Sequence, residues 1–271
     1  ASKEKWLEVH GRKKWEYYYQ PENVEKLRQF FDHFLKGINN DWPKKPRVWL
    51  EVRERYYGGS FRAEQEWPLA RTKYRKLYLN AATGQLQLTP PEQAARVRYE
   101  ATQGAARFDY QFDQDTELTG YMKLKLWVEA DGADDMDLFV AVQKFDREGN
   151  YVPFAYYALY EDGPVALGWL RVSHRELDEE RSTPYQPVHL HQKELRLKPG
   201  ERVPVEIEIW PSSTFFAKGE RLRLVIQGKD IYTYDPKQGP VMLHEETRNQ
   251  GEHIIHAGGS YDSYLLIPQI D

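Results

Sequence analysis

A single change of hydrophobic period divides this chain. Between Pro21 and Gly37 the apolar residues Val24, Leu27, Phe31 and Phe34 recur three and four apart, with Phe30 and Leu35 widening the stripe. That is the spacing of one helix face. Beyond Asn39, Asn40, Asp41 and Trp42-Pro43 the apolar residues alternate instead, and they do so to the end of the chain. A period of two sends successive side chains to opposite faces, so most of this chain is expected to be half-buried β-sheet.

The strands can be read individually. Val48, Leu50 and Val52 alternate with Trp49, Glu51 and Arg53; Met122, Leu124, Leu126 and Val128 alternate with Lys123, Lys125, Trp127 and Glu129. Leu138, Val140 and Val142 repeat the pattern, as do Val203, Val205, Ile207 and Ile209, and then Leu222, Leu224 and Ile226. Turn signals separate them at Asp131-Gly132, Glu148-Gly149-Asn150, Pro199-Gly200-Glu201, Lys218-Gly219-Glu220 and Gly258-Gly259. Many short strands with polar turns and little helix predict a mainly β fold, a jelly-roll-like antiparallel β-sandwich. The stretch 63–115 is less regular, with short strands expected at Tyr74 to Leu79 and Leu86 to Leu88.

The N-terminal unit reads as strand, loop and helix. Trp6, Leu7 and Val9 suggest a short buried strand ending at His10-Gly11, followed by a loop carrying Trp15, Tyr17, Tyr18 and Tyr19. Pro21 suits the first helical position and Gly37 the stop. Glu25, Lys26, Arg28 and Gln29 lie largely on the opposite face, so the helix should lay its apolar side on a larger body.

Charge and composition remove several classes. The first 56 residues carry net +4 and the remainder −8, giving −4 overall, so no basic field exists to attract a phosphate backbone. Nucleic acid is not an expected partner. Without cysteine there is no disulfide framework and no thiolate chemistry, which fits a cytoplasmic protein. No apolar run approaches the ~20 residues that span a bilayer, so no membrane partner is expected.

A strand end bearing His-Gly, then a loop and an amphipathic helix, is how α/β-hydrolases present the histidine of their triad. His10 is therefore the candidate general base. The run Lys5 to Gly11, the loop with Trp15 and Tyr18, and Phe30 to Gly37 closely resemble the end of the catalytic domain in the CocE/NonD hydrolase family, relatives of the X-Pro dipeptidyl-peptidases. Ala166 to Arg171 with Ser173 to Asp178, Pro199-Gly200-Glu201 leading into Val203 to Pro211, Phe216 to Leu224, and the tail from Gly251 to Pro268 resemble that family's C-terminal jelly-roll domain.

The resemblance implies two units. Residues 1–45 would be the C-terminal remnant of an α/β-hydrolase domain, the last strand, His loop and helix, and residues 46–271 the β-sandwich. It also implies a Ser, Asp, His triad in the parent enzyme, of which only His10 is here. No Gly-x-Ser-x-Gly occurs; Ser60 and Ser260 follow glycine pairs but lack the second glycine. The nucleophile, the acidic member and the oxyanion donors are expected upstream of Ala1, so the chain alone should be inactive. The expected partner is the N-terminal α/β-hydrolase portion of the same enzyme. In its absence the helix stripe is expected either to fold onto the sandwich or to drive homo-oligomer formation. No cofactor is implied.

Two further groupings carry plainer readings. His189 and His191 would share a strand face, with His174, His253 and His256 as company, but packing and surface roles are expected and metal ligation is not. Asp131, Asp134, Asp135 and Asp137 lack the spacing of a calcium loop and read as a polar turn, with Asp137 near a domain interface. Trp49, Trp127 and Trp210 fall out of phase with their strands and should face outward, towards a missing domain or the helix. The rival reading is a free-standing jelly-roll module that binds carbohydrate or protein. The amphipathic helix argues against it, because a free module lacks the sheet that such a stripe needs.

Overall fold

The computed structural model describes residues 2–157, 159–235, 237 and 243–270. In chain order the elements are β1 Leu7–Val9, α1 Lys14–Tyr18, α2 Pro21–Lys36, β2 Val48–Arg55, β3 Gly58–Glu64, β4 Lys73–Asn80, β5 Gln85–Gln87, β6 Ala95–Glu100, β7 Ala105–Gln111 and β8 Thr116–Asp131. They continue as β9 Asp137–Phe145, β10 Tyr151–Val152, β11 Ala166–Arg171, β12 Val203–Phe216, β13 Arg221–Gln227, β14 Glu252–Ala257 and β15 Tyr264–Ile270. The fold is mainly β, as the alternation requires.

The strands close on themselves. β8 pairs with β12, then the path runs through β11, β9, β13, β7, β5, β4 and β15 back to β8. Closure leaves no edge along that circuit and encloses a single main core. Leu77, Phe108, Leu124, Leu126, Val140, Val205, Ile207, Leu224 and Leu265 meet inside it, all essentially without solvent contact. The register follows the alternation: Val205 sits opposite Leu126 and Ile207 opposite Leu124, while the intervening Glu206 and Lys125 face outward.

β9 departs from strict alternation because it is covered on both faces. Leu138, Val140 and Val142 enter the main core, whereas Ala141 joins Leu167 and Val225 in a smaller cluster outside it. β12 carries an irregularity between Ile209 and Ser212, at Trp210-Pro211. Proline lacks the N–H that would continue the ladder. Past this point β2 joins β12 in parallel, Thr214 opposite Arg53.

The N-terminal unit hangs from β2. β1 pairs with it in parallel, Val9 opposite Leu50, and β3 pairs on β2 antiparallel. The strand expected at Trp6 to Val9 therefore exists, but it is not buried: Leu7 is 39% and Val9 45% exposed. Among the described residues its one strand neighbour is β2, and beyond it side chains of α1 and α2 such as Tyr17 and Lys26 reach Glu8.

α2 begins with Pro21 at its first position, and Gly37 ends it in the left-handed conformation (φ 68°), letting the Ile38 N–H reach the Asp32 carbonyl. Phe30 and Phe34 pack on Trp6 at ring separations of 6.3 and 5.7 Å, and Phe30 meets Trp42 at 5.2 Å. Val24, Phe31 and Leu35 stay exposed, Leu35 at 77%. The helix has thus not folded onto the sandwich core; two tryptophans hold one edge of its stripe, and the rest faces solvent.

β3, β6 and β7 were not anticipated individually. In β6 arginine alternates with Ala95, Val97 and Tyr99, and in β7 Arg107 and Asp109 face outward between Ala106, Phe108 and Tyr110, so the apolar signal in each is thin.

Candidate functional site

His10 follows β1 immediately, and a strand of the sandwich holds the turn that carries it. Glu51 of β2 is buried, and its carboxylate accepts the Gly11 N–H at 2.8 Å and the Arg12 guanidinium at 2.8 Å. A side chain at position 11 would collide with Arg53, whose Cδ stands 2.6 Å from where its Cβ would be. Glycine here therefore serves close approach rather than a special dihedral.

Arg53 is itself enclosed. Its guanidinium donates to the Val165 carbonyl, Ser212 Oγ and Thr214 Oγ1, and burial lowers its pKa to about 10. Lys13, next along the loop, donates to the Tyr156 and Tyr160 carbonyls at 2.7 and 2.5 Å, and its backbone N–H donates to Tyr57 Oη. Three parts of the sandwich thus converge on the loop of His10.

The ring of His10 lies flat on Tyr17, centroids 3.8 Å apart, and Tyr17 donates its hydroxyl to Glu8. Burial lowers the His10 pKa, opposed by the charges of Glu8 and Glu51. The ring is accordingly neutral at pH 7. Its Nδ1 accepts the Arg12 N–H at 3.2 Å, which puts the proton on Nε2. A triad histidine needs the reverse arrangement, with Nδ1–H donating to a carboxylate and Nε2 free to accept the serine proton. Among the described residues no carboxylate is hydrogen-bonded to His10. Ser60 lies within β3, Ser260 lies in the turn after β14, and neither is hydrogen-bonded to a histidine.

A cleft of about 670 Å³ opens beside this ring, lined by Trp6, Leu7, His10, Tyr17, Leu27 and Phe30. It runs between β1 and the side of α2 that carries Leu27 and Phe30.

The other sequence candidates separate. Asp135 is fully buried and accepts the N–H groups of Met136 and Ser173; Asp137 pairs with Arg171 at 2.7 Å and accepts the Arg248 N–H. Asp135 and Asp137 thus tie strand ends together, while Asp131 and Asp134 are exposed and pair with Arg98 and Arg196. His253 and His256 sit in β14, where His253 shares a hydrogen bond with Tyr99 and His256 contacts Glu129 at 2.9 Å. They are no company for His189.

His189 and His191 do not share a strand face either. His191 adopts a left-handed backbone (φ 52°), which breaks the alternation, and its ring comes beside His174. Of the three histidines named as company for this pair, His174 is the one that joins it. Trp210 does face outward, 56% exposed, against Trp169 at 5.0 Å; Trp127 also lies on the outer face, where its ring N–H donates to Asp262.

Residues 40–266 match the family of X-Pro dipeptidyl-peptidase C-terminal non-catalytic domains. Two crystal structures of a CocE/NonD family hydrolase from Staphylococcus aureus are 48% identical, with TM-scores of 0.96 and 0.97; the match covers 99% and 100% of this chain and 50% and 49% of theirs. An aminopeptidase from a marine sediment Thaumarchaeota archaeon shares the fold at 16% identity and TM-score 0.63, over 90% of this chain and 44% of its own. An α-amino acid ester hydrolase does so at 16% and 0.58, over the same shares. The chain spans about half the length of the solved structures it matches. No curated protein matches it.

Proposed function

The chain belongs to the family of X-Pro dipeptidyl-peptidase C-terminal non-catalytic domains, and on that premise we propose that it is the C-terminal portion of a CocE/NonD-type serine hydrolase. Residues 1–45 finish the α/β-hydrolase domain and residues 46–271 form the β domain that shapes the substrate cleft. The parent enzyme cleaves esters or amides, and His10 is its general base.

Two unmet needs of the N-terminal unit support this reading. Among the described residues His10 has no acidic partner for Nδ1, and the stripe of Val24, Phe31 and Leu35 has no sheet to lie on. An α/β-hydrolase body meets both at once. Its acidic side chain takes over Nδ1, which then holds the proton, and Nε2 becomes the acceptor. The serine Oγ attacks the substrate carbonyl as Nε2 takes its proton; Nε2 returns that proton to the leaving alcohol or amine, leaving an acyl-enzyme. Water, deprotonated by the same nitrogen, then releases the acid. Glu51 and Lys13 would hold the histidine loop to the β domain throughout.

The test is hydrolysis of a p-nitrophenyl ester and of an X-Pro chromogenic amide. The 271-residue chain alone is expected to exceed a His10→Ala control on neither substrate. Joined to its N-terminal portion it should turn over, with His10→Ala costing about 10⁴-fold or more. Turnover by the chain alone that disappears with His10 would place the nucleophile within these residues and overturn the proposal.

A further inference from the structure

On another part of the sandwich a groove of about 470 Å³ gathers His174, His189 and His191 with Trp169, Trp210 and Glu208. The hydrolase reading uses none of these imidazoles. His174 Nδ1 and His191 Nδ1 share a hydrogen bond at 3.4 Å, one nitrogen donating a proton that a bound ion would displace. Two nitrogens bound at 2.0–2.1 Å to one tetrahedral ion stand about 3.3 Å apart, and the centres of their rings about 5 Å apart. The His174 and His191 centroids are 5.4 Å apart, and His189 stands 5.9 Å from His191.

The third ring has the tautomer of a ligand. His189 Nε2 lies 3.0 Å from the Glu206 carbonyl, which can only accept, so that nitrogen carries the proton and Nδ1 keeps its lone pair. An imidazole fixed through its N–H to a backbone carbonyl is the usual support for a metal-binding histidine. His191 sits in a left-handed conformation unusual for a residue with a Cβ. Among the described residues no three His, Asp or Glu side chains stand so as to hold a metal ion, these three rings included. The arrangement is an open pair with a third ring close by.

We propose that His174 and His191 bind one imidazole-preferring divalent ion, Zn²⁺ or Ni²⁺, with His189 moving in as a third ligand and the remaining position open to the groove. This site is separate from His10 and stands whether or not the chain belongs to an active hydrolase.

Isothermal titration of the tag-free chain with Zn²⁺ and with Ni²⁺ tests it. One ion per chain should bind more tightly than about 0.1 mM. His174→Gln should weaken binding about tenfold or more, as should His191→Asn, which removes the imidazole but tolerates the left-handed backbone. His33→Gln, on α2, should change nothing. A measurement needing no variant is the histidine NMR spectrum, where Zn²⁺ should shift His174 and His191 and leave His33 and His256 in place. No saturable binding, or binding unaffected by both ligand variants, would overturn the proposal, as would shifts confined to other histidines.

Discussion

Leu124 and Phe31 are both large apolar side chains in amphipathic segments, yet Leu124 is completely enclosed and Phe31 is about half exposed. They stand for two regions of the molecule. Between β4 and β15 most strands close into a circuit, so their inward-pointing residues meet other strands' inward faces. In the N-terminal unit β1 has β2 alone as a strand neighbour, and α2 has Trp6 and Trp42 along one edge. An apolar face states a demand for burial, and only one of the two regions meets that demand within these residues.

The comparison breaks most readily at the core. Leu124→Ala should cost about 2–5 kcal/mol of stability, measured by guanidinium unfolding, because it opens a cavity that surrounding strands cannot collapse into. A loss near zero would mean that the circuit is looser than its packing.

Acid provides the next largest effect. His253 is buried in β14 and burial lowers its pKa to about 4 from an ordinary 6.5. Between those values the unfolded chain binds the proton and the folded one does not, so stability falls as pH drops below about 6.5 and the loss levels off near pH 4. The expected total is about 3 kcal/mol. Comparing stability against pH for the native chain and His253→Phe isolates this contribution, since other histidines titrate in both. Equal slopes in the two would refute it.

The smallest effect belongs to the N-terminal unit. Phe31→Ser combined with Leu35→Ser should change the stability of the isolated chain by no more than about 0.5 kcal/mol, since neither side chain is enclosed. Sedimentation should show less self-association than in the native chain. A loss above about 1 kcal/mol would show that this helix face is packed after all, and would erase the contrast.

Legibility followed the strength of the local signal. α2 was readable from Pro21 to Gly37 because its stripe, its first-turn proline and its terminal glycine agree. The long strands β8 and β12 were readable because their inward residues are uniformly aliphatic. β6 and β7 were not, since arginines and an aspartate interrupt them and the pairing partners of β6 and β7 are distant in sequence. The histidine loop was recognisable as His-Gly before a helix, but nothing local marked Glu51 and Lys13 as its anchors. An out-of-phase acid in a strand and a lysine in a loop are ordinary until the contacts are known.

By itself the sequence determined the class of fold, the inward face of each long strand, the ends of α2 and the absence of a serine elbow. These are properties of neighbours along the chain, set by dihedral preference and side-chain period. Only the tertiary structure decided that the circuit closes, that Glu51 grips the turn of His10, that Nδ1 of that ring is turned to a backbone N–H, and that His174 meets His191. Those facts depend on residues brought together from far apart in the chain, and local pattern carries no record of such meetings.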